Sequence, residues 1–237
     1  MIIAPGKGVF GSGHTLAIAY IILIYQDIFN SSPDRGGNLD RHPFPTFIAA
    51  MDVKALSLPG LLLLKPRQFA DSRGYFVETY NERTCQKAGI TMRFVQDNQS
   101  FSASAGTVRA LHFQLPPAAQ TKLVRVLQGR IFDVGLDLRV GSPTYGRWEG
   151  VTLDAEGGEQ LLVPRGFAHG FCTLEPNTMV AYKVDDFYAP ASDSGLIWND
   201  PDLGVDWPFV GDAVLSEKDQ KLGRFRDFKS PFVYQGA

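Results

Sequence analysis

The sequence predicts an all-β domain, a double-sheet β-sandwich or barrel of jelly-roll type with a few short peripheral helices. Three observations point there. Short apolar or alternating segments recur about every ten residues from Leu61 to Val184. Glycine- and proline-containing turns separate them. Only the stretch from Asn81 to Gly89 carries a helix signature, with Asn81 or Thr84 as cap and Gly89 as stop. Many short strands joined by such turns suit two packed antiparallel sheets, not a helix-covered parallel one.

The elements follow in order. Leu61 to Leu64 is a buried apolar run, Lys65 to Gly74 a loop, and Tyr75 to Tyr80 a strand with Phe76 and Glu78 on one face. After the helix, strands are predicted over Phe94 to Gln99, Thr107 to Gln114 and Lys122 to Leu127. Gln128-Gly129 reads as a hairpin turn into a half-buried strand, where Phe132, Val134, Leu136 and Leu138 alternate with Asp133, Asp137 and Arg139. Arg147 to Leu153, Gln160 to Val163, Gly170 to Leu174 and Thr178 to Val184 complete the series. The charged, aromatic tail from Leu215 to Phe228 is expected to cover one end as a short helix plus coil.

Composition bounds the partners. A net charge of -2 gives no broad electrostatic attraction to nucleic acid or to an anionic membrane surface. An anionic ligand must therefore be held by local arginines and lysines. Cys85 and Cys172 lie far apart without CxxC spacing, which fits a reducing, cytoplasmic protein without a disulfide framework.

Residues 1–50 differ from the rest. Their one apolar run, Leu16 to Tyr25, is too short to span a bilayer. It has a single lysine upstream and no close small-x-small cleavage site, which argues against a signal peptide. A Gly/Pro/Asn-rich stretch from Asn30 to Asn38 follows, and Met51 reads as the natural start of a folded domain. Residues 1–50 are thus expected to be an extension of no assigned function, consistent with a misassigned start, and residues 51–237 the working domain.

The chemistry centres on the Val108–Gln114 segment. On an extended strand Ala110, His112 and Gln114 share one face. Pro116-Pro117 ends that strand, and the return can bring Lys122 near His112. A neutral imidazole accepts a proton and an ammonium stabilises an oxyanion, so the pair suits proton abstraction beside a carbonyl. The structural alternative is a sheet histidine with a satisfied partner and a solvated lysine.

A second motif, Gly158 to Phe171, has the Gly, then Pro-x-Gly-x-x-His spacing of the second cupin motif, with Pro164, Gly166 and His169 at those positions. Metal-dependent cupins also need a His-x-His motif, since a divalent site wants three or four converging ligands. Here the corresponding place reads His112-Phe-Gln114, and the domain holds only His112 and His169. No metal is expected.

Together, Phe69 to Glu78, Phe94 to Asn98, Arg109 to Gln114, Gln120 to Arg125, Val163 to Phe171 and Ile197 to Pro201 resemble the dTDP-4-dehydrorhamnose 3,5-epimerase family, in order from about Leu56 to Asp219. The resemblance implies a metal-free, cofactor-free cupin jelly roll, usually a homodimer, acting on a dTDP-4-keto-6-deoxy sugar. It implies His112 as general base, Asp219 as its paired carboxylate, Tyr182 as proton donor on the opposite face and Lys122 near the sugar carbonyl. Arg73, Phe76, Glu78, Gln96, Asn98, Arg109, His169, Asp193 and Lys218 match substrate-binding positions. Asp193 stands where a glutamate is frequent, and Ala110 replaces a glycine.

A hydrogen on carbon beside a ketone is acidic, so a 4-keto sugar can be epimerised at C3 and C5 through an enolate. Two alternatives stay open: a single-position epimerase, and a non-catalytic sugar-binding cupin. One detail needs a special geometry. Strict alternation puts Arg109 and His112 on opposite faces, so a bulge or an early strand end is required if both line one pocket.

Overall fold

The computed structural model describes residues 51–209 and 211–236; the extension at 1–50 lies outside the described residues. Thirteen strands are described: β1 (Met51–Ala55), β2 (Leu62–Pro66), β3 (Gln68–Asp71), β4 (Gly74–Val77), β5 (Gln96–Ser102), β6 (Val108–Gln114), β7 (Lys122–Gln128), β8 (Arg130–Asp137), β9 (Trp148–Asp154), β10 (Gln160–Val163), β11 (Phe167–Thr173), β12 (Thr178–Val184) and β13 (Asp193–Gly195). Helix α1 (Glu82–Lys87) is capped by Asn81, whose side chain accepts from the backbone N–H of Arg83 and Thr84.

Two antiparallel sheets carry the fold. One runs β1-β2-β10-β7-β12-β5 and the other β13-β6-β11-β8-β9, with β3 and β4 as a separate hairpin. This is the predicted double-sheet jelly-roll architecture. The space between the sheets is filled by Leu61, Val124, Val126, Ile131, Leu161, Phe167, Phe171 and Val180. At about 25 cal/mol per Å² of apolar surface removed from water, such burial is the main term holding the sheets together.

The predicted hairpin at Gln128-Gly129 is corrected. β7 pairs with β10 and β12, whereas β8 pairs with β9 and β11, so the turn carries the chain from one sheet to the other. Gly129 is required there: its φ is +79°, and a Cβ would lie 2.5 Å from Thr178 Oγ1. Nor is β8 half-buried. Val134, Leu136 and Leu138 pack outward against a second core with Trp207 and Phe232, while Asp133 and Asp137 are fully buried on the inward face. The tail supplies the outer cover, with Phe225 and Phe228 packed on that core. Asp137 is tolerated because Arg139, Ser142 and Thr144 all donate to its carboxylate. Two smaller departures concern the hairpin: the predicted 65–74 loop contains β3, and the strand after it ends at Val77.

The bulge demanded by Arg109 and His112 is present. His169 pairs with His112 and Phe171 with Arg109, so one residue of β11, Gly170, opposes two of β6, Ala110 and Leu111. Ala110 and Leu111 consequently both join the outer core, leaving Arg109, His112 and Gln114 facing inward. Ala110 therefore does not share the face of His112. Its methyl packs opposite Gly170, where a Cβ would come within 2.4 Å of it, and it leaves the inner cleft unchanged.

Candidate active site

One end of the sandwich opens as a cleft of about 280 Å³ between the sheets. β6 contributes His112 and Gln114 to one wall; β5, β7 and β12 contribute Gln96, Asn98, Lys122 and Tyr182 to the other. Gln120, Tyr188, Asp193 and Lys218 complete the rim.

His112 Nε2 lies 2.6 Å from Asp219 Oδ1. Asp219 sits on a 3₁₀ turn, Asp219–Lys221, and is 3 % exposed. The tail folds back onto β6 to place it there. An ionised carboxylate only accepts hydrogen bonds, so a neutral His112 ring facing one donates from Nε2 and keeps a lone pair on Nδ1.

Lys122 Nζ donates to the backbone carbonyl of His112 at 3.2 Å. Burial lowers the ammonium pKa to about 8, while the negative charges of Asp133 and Asp193 hold it up. Tyr182 faces His112 from the opposite sheet. Burial raises its phenol above the ordinary value, with Asp193 adding to that and the Arg109 charge opposing it.

His169 is the register partner of His112 and points into the same interior. Its Nε2 lies 2.7 Å from Asp133 Oδ1. Burial pushes its pKa below the usual value, although Asp133 works against this. It is thus a buried, held imidazole. Asp133 Oδ2 accepts no hydrogen bond from the described residues.

The remaining predicted residues divide into two groups. Gln96 donates to Asn98 Oδ1 at 2.8 Å on the cleft wall. Arg109 reaches Ser102 Oγ and the Phe101 carbonyl. At the mouth, Asp193 accepts from Lys218 and from the Tyr188 hydroxyl; burial raises the Asp193 carboxyl pKa, but these two donors outweigh it and leave it below the usual value. Like Arg109 and His169, which are not among the lining residues, Arg73, Phe76 and Glu78 do not line this cleft. They lie on or beside the β3–β4 hairpin, where Phe69, Tyr75 and Phe76 are each at least half exposed.

Sequence reasoning missed Gln114, Gln120, Tyr188 and Asp133. Gln114 was within reach, since it shares the face of His112. Tyr188 sits in irregular chain, where no periodicity marks an inward side chain. Asp133 looked solvent-facing because burial on both faces of β8 cannot be read from alternation.

A family model described as dTDP-4-dehydrorhamnose 3,5-epimerase matches residues 55–227. The chain belongs to that family. A relative from Sinorhizobium fredii, named dTDP-4-dehydrorhamnose 3,5-epimerase, is 48% identical over 80% of this chain and 97% of its own. The solved structure of a dTDP-4-dehydrorhamnose 3,5-epimerase from Bacillus anthracis, with TDP and PPi bound, is 52% identical with a TM-score of 0.72, covering 74% of this chain and 99% of that one. A Legionella pneumophila dTDP-6-deoxy-D-glucose-3,5-epimerase, in complex with dTDP-4-keto-L-rhamnose, superposes with a TM-score of 0.75 at 39% identity, over 78% and 100% of the two chains. Family membership makes the chain an isomerase of the carbohydrate epimerase class.

Proposed function

We propose that this protein is a dTDP-4-dehydrorhamnose 3,5-epimerase, converting dTDP-4-dehydro-6-deoxy-D-glucose to dTDP-4-dehydro-L-rhamnose. The observation that carries the reading is the pairing of His112 and Tyr182 on opposite walls of one cleft, with Lys122 beside them. A base on one face and an acid on the other is the minimum for inverting a carbon centre.

His112 Nδ1 removes the proton from the carbon beside the C4 ketone. Asp219 holds the ring and stabilises the imidazolium that forms, as the carboxylate of a catalytic triad does. The electron pair moves onto the ketone oxygen, and the Lys122 ammonium stabilises that enolate. Tyr182 then delivers a proton to the opposite face of the carbon. Its raised pKa keeps the phenol protonated at neutral pH. Solvent exchange resets both groups, and the second centre is inverted in the same way. Atoms balance without an oxidant or reductant.

The mouth supplies the charge for the substrate's diphosphate and nucleotide through Lys218, with Arg109, His169, Gln96 and Asn98 contacting the sugar and nucleotide further in. Asp193 acts by setting where the Lys218 ammonium sits. The exposed hairpin supports a homodimer: Arg73, Phe76 and Glu78 can meet a substrate if they complete the cleft of a second copy. Two buried free thiols, Cys85 and Cys172, suit a cytoplasmic protein. Among the described residues, no helix is long and apolar enough to cross a membrane.

The test is incubation of the purified protein with dTDP-4-dehydro-6-deoxy-D-glucose, followed by NMR. Appearance of the L-rhamno product supports the proposal. Accumulation of a sugar inverted at one carbon would favour a single-position epimerase, and binding without turnover a non-catalytic cupin.

A further inference from the structure

Asp219 presents its carboxylate from a part of the chain with almost no regular structure, yet its distance to His112 is that of a strong hydrogen bond. The means lies in the segment from Asp193 to Asp200, which includes most of the Ile197–Pro201 motif. None of residues 194–200 lines the cleft. This segment is bound along one edge to β6. Gly195 is the register partner of His112, and Leu196 exchanges two 2.9 Å hydrogen bonds with Leu111.

Along its other edge the same segment holds the tail at several points in parallel order. Asp193 pairs with Lys218. Gly195 leaves the space into which Leu222 packs, since a Cβ there would lie 2.9 Å from Leu222 Cδ1 and 2.8 Å from the Leu111 carbonyl. Leu196 bridges Gly223, with the Ile197 N–H donating to the Gly223 carbonyl at 2.9 Å. Asp200, buried at 1 % exposure, closes the far end by accepting from the Phe225 N–H at 2.6 Å, while its other oxygen accepts from the Asp202 N–H at 2.9 Å.

We propose that residues 193–200 are a template that fixes the spacing of the His112–Asp219 pair, with Gly195 and Asp200 as its positioning residues. The inference rests on the reading of His112 as the base. Both members of the pair touch this one segment, His112 through β6, whose other edge β11 holds, and Asp219 through the tail. A residue that shifts either edge changes the distance between them without touching the substrate. A shift of about 1 Å in such a pair is enough to cost on the order of 10²-fold in rate.

A second imidazole–carboxylate pair of similar length, His169–Asp133, lies on β11 and β8 outside residues 193–200 and serves as the internal comparison. The full-length protein is labelled with ¹⁵N-histidine, and the ring N–H signals of His112 and His169 are assigned by substitution of each. Gly195→Ala and Asp200→Asn are then compared with wild type for these signals, kcat, KM and Tm. An amide at position 200 can accept from only one of the two N–H groups. The expected result is a lost or shifted His112 signal beside an unchanged His169 signal, with kcat lowered at least tenfold and KM within about threefold. Adding Leu222→Ala to Gly195→Ala should recover part of the lost kcat, since Leu222 is partly exposed and its truncation relieves one of the two close approaches.

Wild-type kcat and an unshifted His112 signal in both variants would overturn the template while leaving the base assignment intact. Both histidine signals moving together with a fall in Tm would also overturn it, by showing general loosening. A His112→Ala enzyme that still exchanges the sugar protons would instead remove the reading on which the inference rests.

Discussion

Replacing Lys122 by methionine should make the protein more stable and nearly inactive. The ordinary lysine value is 10.5, and burial between the sheets lowers it to about 8. At about 1.4 kcal/mol per tenfold, keeping the ammonium charged in the fold costs about 3 kcal/mol. Methionine has a similar length and no charge, so it removes that cost while filling the same space. The sign follows from linkage. A base with a depressed folded pKa destabilises the native state fully below pH 8, and the cost fades as pH rises from 8 to 10.5, where the unfolded lysine also loses its proton. Urea unfolding at pH 7 should therefore show Lys122→Met more stable than wild type by up to about 3 kcal/mol, and the gap should close by pH 10.5. The loss of enolate stabilisation should lower kcat by about 10²- to 10³-fold. A methionine variant less stable than wild type at pH 7, or a stability gap independent of pH, would refute this account of the lysine.

Other outcomes follow from the same geometry. With Lys122 titrating near pH 8, kcat/KM should fall above that pH, and Lys122→Arg, if it retains activity, should lose this basic limb because guanidinium stays charged; a pH–rate profile of both checks it. Tyr182 is not expected to produce that limb, since burial raises its phenol pKa, moving its ionisation further from neutral pH. A chain beginning at Met51 should match the full chain in kcat and Tm, because every proposed site residue lies beyond that point; a tenfold loss on truncation would assign residues 1–50 a role. Activity should survive exhaustive chelation, as the two domain histidines are each held by a separate aspartate; restoration of activity only by added metal would contradict this.

Much of this was legible in the chain, and the failures share a cause. Period-two patterns located the strands from β6 to β12 because each buries at least part of one face, whereas β1 and β3, almost wholly exposed, carried no such mark. Alternation cannot say what covers the second face, which is why β8 looked half-buried and its aspartates solvated. A tight glycine turn looks the same whether it joins paired strands or passes between sheets, so Gln128-Gly129 was read as a hairpin. The bulge in β6 was foreseeable because Arg109 and His112 had to share a face. Asp219 was different: only the resemblance paired it with His112. Its burial depends on contacts with residues 193–200, which no local pattern encodes. The spread of Arg73, Phe76 and Glu78 away from the cleft was equally hidden, since a motif gives order along the chain and not which side of the fold it faces.

The central claim is that His112 takes the proton and Tyr182 returns one from the other side. The most direct measurement is NMR of the 4-keto sugar in deuterated water with wild type, His112→Ala and Tyr182→Phe. Wild type should place deuterium at both C3 and C5, and His112→Ala at neither. Tyr182→Phe should still permit exchange through His112, while inversion falls by about 10²- to 10⁴-fold, the range for losing a general acid. Exchange retained in His112→Ala and abolished in Tyr182→Phe would contradict the assignment of the two roles.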